Sequence, residues 1–351
     1  MALLVLIDAD PNRAGCRLRW LNLERLAKTQ GIKVQLLSQP SEKPLSKHDL
    51  PTLCRRLPKE MRLWIREVVP KLRRIWFVLT LARARIVVTG KPNDPLLIDG
   101  MNIARWFGTR LIVDACDIKP SYLHIHKAFE LASCITIPTE KLGAAIPIEQ
   151  HHKIHVIPDY LDKACLPKPH QRKESHSPAN ILWFGVIEAD GPSKRPSFKL
   201  FCDFIAASIN QLELRNVSIT LVCSHSEAAV RYLKEILSPH TLPCTVMEWS
   251  LANMQKALAQ PGLAVIPYPT PINNCQKSAN RVELALYAGK TVLVNGELPS
   301  LDPVLRKYIS EIKTNIDLAA TTRLETSLTT IRNHLDKKQS LIDERWQSLI
   351  R

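Results

Sequence analysis

Two cations and two neutral hydrogen-bond donors fall within five residues at Lys277-Ser278-Ala279-Asn280-Arg281. The apolar run Leu263-Ala-Val-Ile-Pro-Tyr268 lies upstream. A helical pattern ending at Tyr287-Ala-Gly289 and the run Thr291-Val-Leu-Val294 lie downstream. The order is strand, polar loop, helix, strand. Ser278 is suited to cap the helix, and a helix N-terminus offers unpaired N–H groups and partial positive charge to an anion. Lys277 and Arg281 add two full charges, and Ser278 and Asn280 add neutral donors. Together they suit a diphosphate. The same residues also suit an ordinary capped helix with a solvated basic face, so the surrounding elements have to decide.

Other candidates for chemistry are spread more thinly. Asp114 closes an apolar strand pattern and Asp117 follows it, with His124 and His126 a few residues on. Asp117 either carries a proton at an acceptor hydroxyl or caps the next helix. Lys194, within Asp190-Gly-Pro-Ser-Lys194-Arg195, either adds charge to a diphosphate site or is a solvated loop lysine. Trp249, just past a strand, either stacks on a nucleobase or packs as an interdomain aromatic. No Gly-x-Gly-x-x-Gly follows either domain's first strand, which sets a nicotinamide dehydrogenase aside. The nine cysteines include no Cys-x-x-Cys pair, which points to a reducing cytosol rather than to zinc or a disulfide framework.

These residues need a scaffold, and the 351 residues supply it. That length suggests two domains. Strand-length apolar runs recur at Ala2–Ile7, Ile32–Leu37, Arg85–Thr89, Arg110–Asp114, Cys134–Pro138 and Ile154–Pro158, with helical patterns between several of them. Leu166–Asn180, with three prolines, several charges and little apolar content, reads as a linker. A second set of runs then starts at Ile181-Leu-Trp-Phe184 and continues at Ser218–Cys223, Thr245–Glu248, Leu263–Pro267 and Thr291–Val294. Near-continuous apolar strands alternating with helices predict α/β architecture: two tandem Rossmann-like, doubly wound domains. The expected boundaries are 1–165 for the first domain, 166–180 for the linker and 181–351 for the second, with the last helix returning to the first domain. Ligands of such sheets bind beyond the carboxyl ends of the strands, so the site is expected in a cleft between the domains.

Charge separates the two halves. The total is +15, and residues 1–176 hold 29 Lys/Arg against 17 Asp/Glu. An anionic partner is expected on that half. Leu53–Arg85 alone holds ten Lys/Arg against Glu60 and Glu67, with Met61, Trp64, Ile65, Val68, Leu72, Ile75, Trp76 and Leu79 at spacings of three and four. This is either an interfacial amphipathic helix for an anionic membrane surface or a helix pair packing on its own domain. Pro70 is expected to kink or split it. No apolar run is long enough to span a bilayer. The opening Met1–Ile7 reads as a strand, since Asp8 and Asp10 follow it at once. Nucleic acid is not expected as a partner, because no aromatic-rich platform or reading module is present.

The stretch Pro267–Val294 resembles the donor-sugar segment of GT-B glycosyltransferases, in particular the "glycosyl transferases group 1", family-four-like bacterial set. Some members share Lys-Ser-x-Asn-Arg, a helix, then Gly-x-x-Val, found here from Lys277 to Val292. Ile181–Gly185 is similar to the strand and glycine that open the second domain, and Glu248–Leu258 to the segment preceding the donor motif. Gly15-Cys-Arg17-Leu-Arg19, Ile112–Asp117 and Val156–Asp159 have counterparts in the first domain. The resemblance implies a retaining glycosyltransferase that needs no metal and no cofactor beyond a nucleotide-sugar co-substrate. It further implies a cell-envelope polysaccharide or lipid-linked acceptor, met in the cytoplasm or at the inner face of the membrane. Lys194, Lys277, Ser278, Asn280 and Arg281 are then the diphosphate ligands, Trp249 lies on the nucleobase side, and Arg17 and His124 lie on the acceptor side. Asp117 and Glu283 are the catalytic candidates. The chain departs from the family where a Glu-x7-Glu pair is common. Leu284 holds the place of the second acid, Glu283 lies one residue earlier, and Cys275 lies eight before Glu283. That departure motivates the alternative of a non-catalytic binding or scaffold protein on the same fold.

Overall fold

Each apolar run with strand spacing pairs into one of two parallel sheets of a computed structural model. The model describes residues 3–7, 16–39, 58–90, 92, 94–116, 118, 123–168, 180–187, 196–214, 216–238, 242–268, 279–295, 298, 300–312 and 327–351. The first sheet joins β1 (Leu3–Ile7), β2 (Lys33–Leu37), β3 (Ile86–Thr89), β4 (Arg110–Asp114), β5 (Cys134–Ile137) and β6 (Ile154–Val156) in the order β2-β1-β3-β4-β5-β6. The second joins β7 (Asn180–Gly185), β8 (Ser218–Cys223), β9 (Cys244–Glu248), β10 (Gly262–Val265), β11 (Thr291–Val294) and β12 (Ile309–Glu311) in the order β12-β11-β10-β7-β8-β9. Sequence periodicity did not single out β12, which pairs three residues at the sheet edge with only Ile309 apolar. Central strands such as β3 and β5 are buried throughout, whereas edge strands β2 and β9 keep exposed positions.

The helices between them are α1 (Leu21–Thr29), α2 (Lys59–Arg83), α3 (Pro95–Trp106), α4 (Ile125–Leu131), α5 (Glu140–Gly143), α6 (Pro196–Leu214), α7 (Ser226–Leu237), α8 (Leu251–Ala259), α9 (Asn280–Tyr287), α10 (Pro303–Arg306) and α11 (Leu328–Ile350). Alternation along β7 shows why its run is apolar at every position. Leu182 and Phe184 enter one core with residues of α8, α9 and α11, while Ile181 and Trp183 enter another with residues of α6 and α7. Both faces are covered, so neither can be polar.

Two local expectations are corrected. α2 runs unbroken for 25 residues through Pro70. The ring removes one backbone hydrogen bond, yet the helix is not split in two there, and further along it Phe77 and Leu81 are buried. α9 starts at Asn280 with Ala279 in the capping position and no side-chain cap, so the helix begins one residue later than a cap at Ser278 requires.

The chain divides into two compact units, Met1–Asp159 with Ile342–Arg351, and Tyr160–Leu341. The last residues of α11 therefore belong with the first unit. There Trp346, Leu349 and Ile350 are buried, and Arg345 Nη1 donates to the Val156 carbonyl at 2.7 Å. Most of the segment read as a linker, 169–179, lies outside the described residues.

The end of the second sheet where its strands begin holds a buried lysine. Lys290, 2% exposed, precedes β11 and donates to the Gln260 carbonyl before β10. Burial lowers its pKa from 10.5 to about 7. Between those values the unfolded chain holds a proton that the folded chain has released, so folding stability rises with pH across the window of about 7 to 10.5. Lys290→Met is expected to flatten that rise and to stabilise the fold near pH 7 by on the order of 2–4 kcal/mol. Chemical denaturation of both proteins at pH values spanning the window measures it.

Candidate functional site

In a doubly wound sheet the connections leave one central strand pair in opposite directions, and the loops beyond the carboxyl ends of that pair part to leave a crevice. In the second sheet the pair is β7 and β10. The order from β9 to β12 is the 3-2-1-4-5-6 arrangement of dinucleotide-binding sheets. β7 ends at Phe184-Gly185, and β10 leads into Ile266-Pro267-Tyr268.

Arg281 sits on that junction. As the second residue of α9 its guanidinium reaches back over the sheet edge, where Nη1 donates to the Phe184 carbonyl at 3.2 Å. The same group lies 5.3 Å from the centre of the Tyr268 ring, a cation–π distance. Gly185 makes this possible. A Cβ there would stand 3.0 Å from the Trp183 ring and 3.2 Å from Arg281 Nη1. Tyr268 is held by its own backbone, whose N–H donates to Asn295 Oδ1 just past β11. The Tyr268 ring is buried, and its hydroxyl lies against the Arg281 side chain. Burial raises its pKa against the opposing pull of the guanidinium. A cation stacked on a buried ring and a helix start thus meet at the switch point, an arrangement that attracts an anion.

Two strands along the same edge, β9 leads into Trp249. Strand spacing puts β9 about 10 Å from β7. The Trp249 N–H donates to the Cys223 carbonyl at the end of β8, at 2.8 Å, and its side chain is half-buried against the core. Beside it Glu248 accepts from the backbone of Ser226 at 2.9 Å and of His225 at 3.2 Å, pinning the start of α7. Those bonds lower the Glu248 pKa. Glu283, one turn into α9, is 2% exposed, and Lys338 of α11 donates to its Oε1 at 2.6 Å. Asn280 opens α9 and is half-buried. Lys194, Lys277 and Ser278 lie outside the described residues.

The first unit has its own buried polar centre at the carboxyl ends of β4, β5 and β6. Arg19, 1% exposed, lies in a π-helical turn at Cys16–Trp20 that leads into α1. Its Nε donates to Asp114 Oδ1 and Oδ2 at 2.8 and 2.7 Å, and its Nη1 to the Ile157 carbonyl at 2.8 Å and Asp159 Oδ1 at 3.0 Å. Thr136 Oγ1 donates to Asp114 Oδ1 at 2.6 Å, and Cys116 Sγ lies 3.4 Å from Oδ2. Burial opposes the Arg19 charge, but Asp114 above all, with Cys116 and Asp159, drives its pKa above the usual arginine value. Desolvation and the Asp114 carboxylate together push the Cys116 thiol well up. Trp346 stacks 5.5 Å from the guanidinium. Sequence reasoning noticed each of these three strand ends but not their union. The available signal was a carboxylate closing the apolar strand β4, which demands a buried partner.

The acceptor-side candidates fall nearby in part. Arg17 shares the π-helical turn and is buried, and His124 stands half-buried at the start of α4 without a side-chain cap bond. Asp117 lies outside the described residues, and the capping position of α4 belongs to His124. His151 lies in a short 3₁₀ helix, Ile148–Lys153, where its Nε2 is 3.0 Å from the Ile146 carbonyl oxygen. No helix among the described residues is long and apolar enough to cross a membrane. Nor does any group of three His, Cys, Asp or Glu side chains among them converge as metal ligands.

Two tandem doubly wound parallel sheets, matched over the whole chain by solved structures, give this protein the GT-B fold. One match is AviGT4, a glycosyltransferase involved in avilamycin A biosynthesis, at 13% identity and a TM-score of 0.51 over 100% of this chain and 98% of that one. A second is the UDP co-structure of Staphylococcus aureus MnaA, at 12% identity and a TM-score of 0.53 over 99% and 92%. A third is a UDP-forming α,α-trehalose-phosphate synthase from Burkholderia vietnamiensis, at 9% identity and a TM-score of 0.52 over 99% and 97%. No family model and no curated protein sequence matches the chain.

Proposed function

We propose that the protein is a metal-independent glycosyltransferase that moves a hexosyl or related group from a nucleotide sugar to a cell-envelope polysaccharide or lipid-linked acceptor, with retention. The observation that carries this reading is Arg281, placed by α9 on the β7–β10 switch point beside Phe184, Gly185 and Tyr268. The diphosphate of the donor lies against the start of α9, held by Arg281, Asn280, Ser278 and Lys277, with Lys194 supplying further charge. The base lies toward Trp249. As the glycosidic bond breaks, negative charge builds on the departing diphosphate, and contacts that strengthen with that charge lower the barrier. Asp117 and Glu283 are the carboxylates assigned to the reacting sugar, and Arg17 and His124 face the acceptor. The reaction needs no cofactor beyond the donor and runs in the cytoplasm, at the inner face of the membrane. Among the solved structures of like fold, the MnaA structure holds UDP and the trehalose-phosphate synthase is UDP-forming, which favours a uridine donor.

One observation favours a second reading, a non-catalytic binding or scaffold protein. The Glu283 carboxylate is buried and already paired with Lys338. A thermal-shift screen with UDP, GDP and their sugar conjugates, followed by assay of nucleotide release, tests both readings. Stabilisation by a diphosphate and release of nucleotide support transfer. Stabilisation with no release in the presence of candidate acceptors supports the scaffold. No stabilisation by any diphosphate overturns the site.

A further inference from the structure

α2 presents an apolar stripe that the other described residues leave exposed. Leu72, Ile75, Trp76 and Leu79 are 57, 58, 54 and 52% exposed. Their spacing places them on one side of the helix over about 10 Å. The opposite side is the packed one, with Phe77 and Leu81 buried and Leu81 against Gly100 of α3. On the flank of the stripe that faces α3 lies a groove of about 450 Å³ lined by Lys71, Arg74, Ile75, Val78, Leu79 and Leu96, mostly apolar and cationic at one end. α3 ends in two more exposed aromatics, Trp106 at 93% and Phe107 at 71%. Thr109 bonds the Leu81 and Ala84 carbonyls, so that end of α3 lies beside the end of α2.

Charge selects the occupant. Between Glu67 and Asp94 the chain holds six cations, Lys71, Arg73, Arg74, Arg83, Arg85 and Lys91, and no acidic residue. A second copy of the chain would bring the same cations against them. Nucleic acid would satisfy the cations but leave four large apolar side chains in water. An anionic lipid surface satisfies both, because phosphate headgroups lie directly above an apolar layer. Tryptophan is at home at that boundary.

We propose that α2 docks in the plane of an anionic phospholipid bilayer. Leu72, Ile75, Trp76 and Leu79 enter the headgroup–acyl boundary, and the exposed Lys71 and Arg73 pair with headgroup phosphates. The docking deepens the proposed location at the inner face of the membrane and rests on that reading for its setting, but its test reads vesicle binding alone, so its failure leaves the donor site standing.

The test is flotation of the full chain with large unilamellar vesicles of phosphatidylcholine, alone or with about 30% phosphatidylglycerol, an anionic lipid. Binding is expected to be at least roughly tenfold stronger on the anionic vesicles. It should weaken severalfold from about 50 to about 500 mM salt as the charges are screened. The double variant Lys71→Glu/Arg73→Glu should fall to the phosphatidylcholine level, and Trp76→Ser/Leu79→Ser should lose about tenfold. All four side chains are exposed, so both variants are expected to melt with the parent protein, which separates lost docking from lost fold. Equal binding to both vesicle types, or undiminished binding by the folded variants, overturns the proposal. So does a wild-type dimer in light scattering that the Trp76/Leu79 variant abolishes, or double-stranded DNA binding at physiological salt that depends on these same residues.

Discussion

Changing Lys277 and Arg281 together to alanine is expected to lower sugar transfer by roughly 10³-fold or more while the fold survives. Each cation would make charge-assisted bonds to a diphosphate, worth about 1.5–3 kcal/mol apiece. The bonds gain strength as the leaving group acquires charge, so the loss should appear in kcat as well as in donor affinity. Arg281→Ala alone should cost about 10- to 100-fold. Arg281→Lys should recover only part of that, because a lysine keeps the charge without the planar fork that spans Phe184 and Tyr268. The fold should tolerate the change, since Arg281 contributes one backbone contact and one stacking contact to its surroundings. Nucleotide-release kinetics and donor calorimetry on parent and variants measure the effect. Unchanged kcat and donor affinity in the double variant would show that the diphosphate, if bound at all, lies elsewhere.

Arg19→Met is expected to be the most damaging single change to stability in the first unit, by about 3–5 kcal/mol. The guanidinium is buried with Asp114, and removing it strands that carboxylate without the three contacts that Arg19 supplies. It also frees the Ile157 carbonyl and Asp159, and removes the cation stacked on Trp346. For a unit of this size the loss corresponds to a fall of roughly 10 °C in melting temperature. The companion Arg19→Met/Asp114→Leu removes both charges at once and should regain much of the loss, as replaced buried ion pairs often do. Calorimetry of the three proteins reads the result. A single variant within about 1 kcal/mol of the parent would mean that the pair carries little net stability.

The two effects differ in kind, and the difference follows from burial. Arg281 is half-buried at a strand edge with few partners of its own, so its loss should be felt mainly by a ligand. Arg19 is sealed among carboxylates, so its loss should be felt by the fold. Arg17 lies two residues away in the same π-helical turn.

Most of the strands could be read from the chain alone, because a strand buried on both faces leaves a local apolar signature. β4 at Arg110–Asp114, β8 at Ser218–Cys223 and β11 at Thr291–Val294 fall where the periodicity put them. A helix also follows Ala279, as the spacing predicted, and α2 carries its apolar residues at helical spacing, since type and spacing are local properties. β12 escaped because three residues at an edge carry too little pattern, and Pro70 did not split α2 in two. What only the tertiary structure decided is which distant pieces meet. Strand order alone places Arg281 on the β7–β10 junction beside Tyr268 and Asn295, and it alone brings Arg19 to a carboxylate 95 residues away. Pairing between strands is set by cooperative packing over the whole sheet, and no window of sequence contains that information.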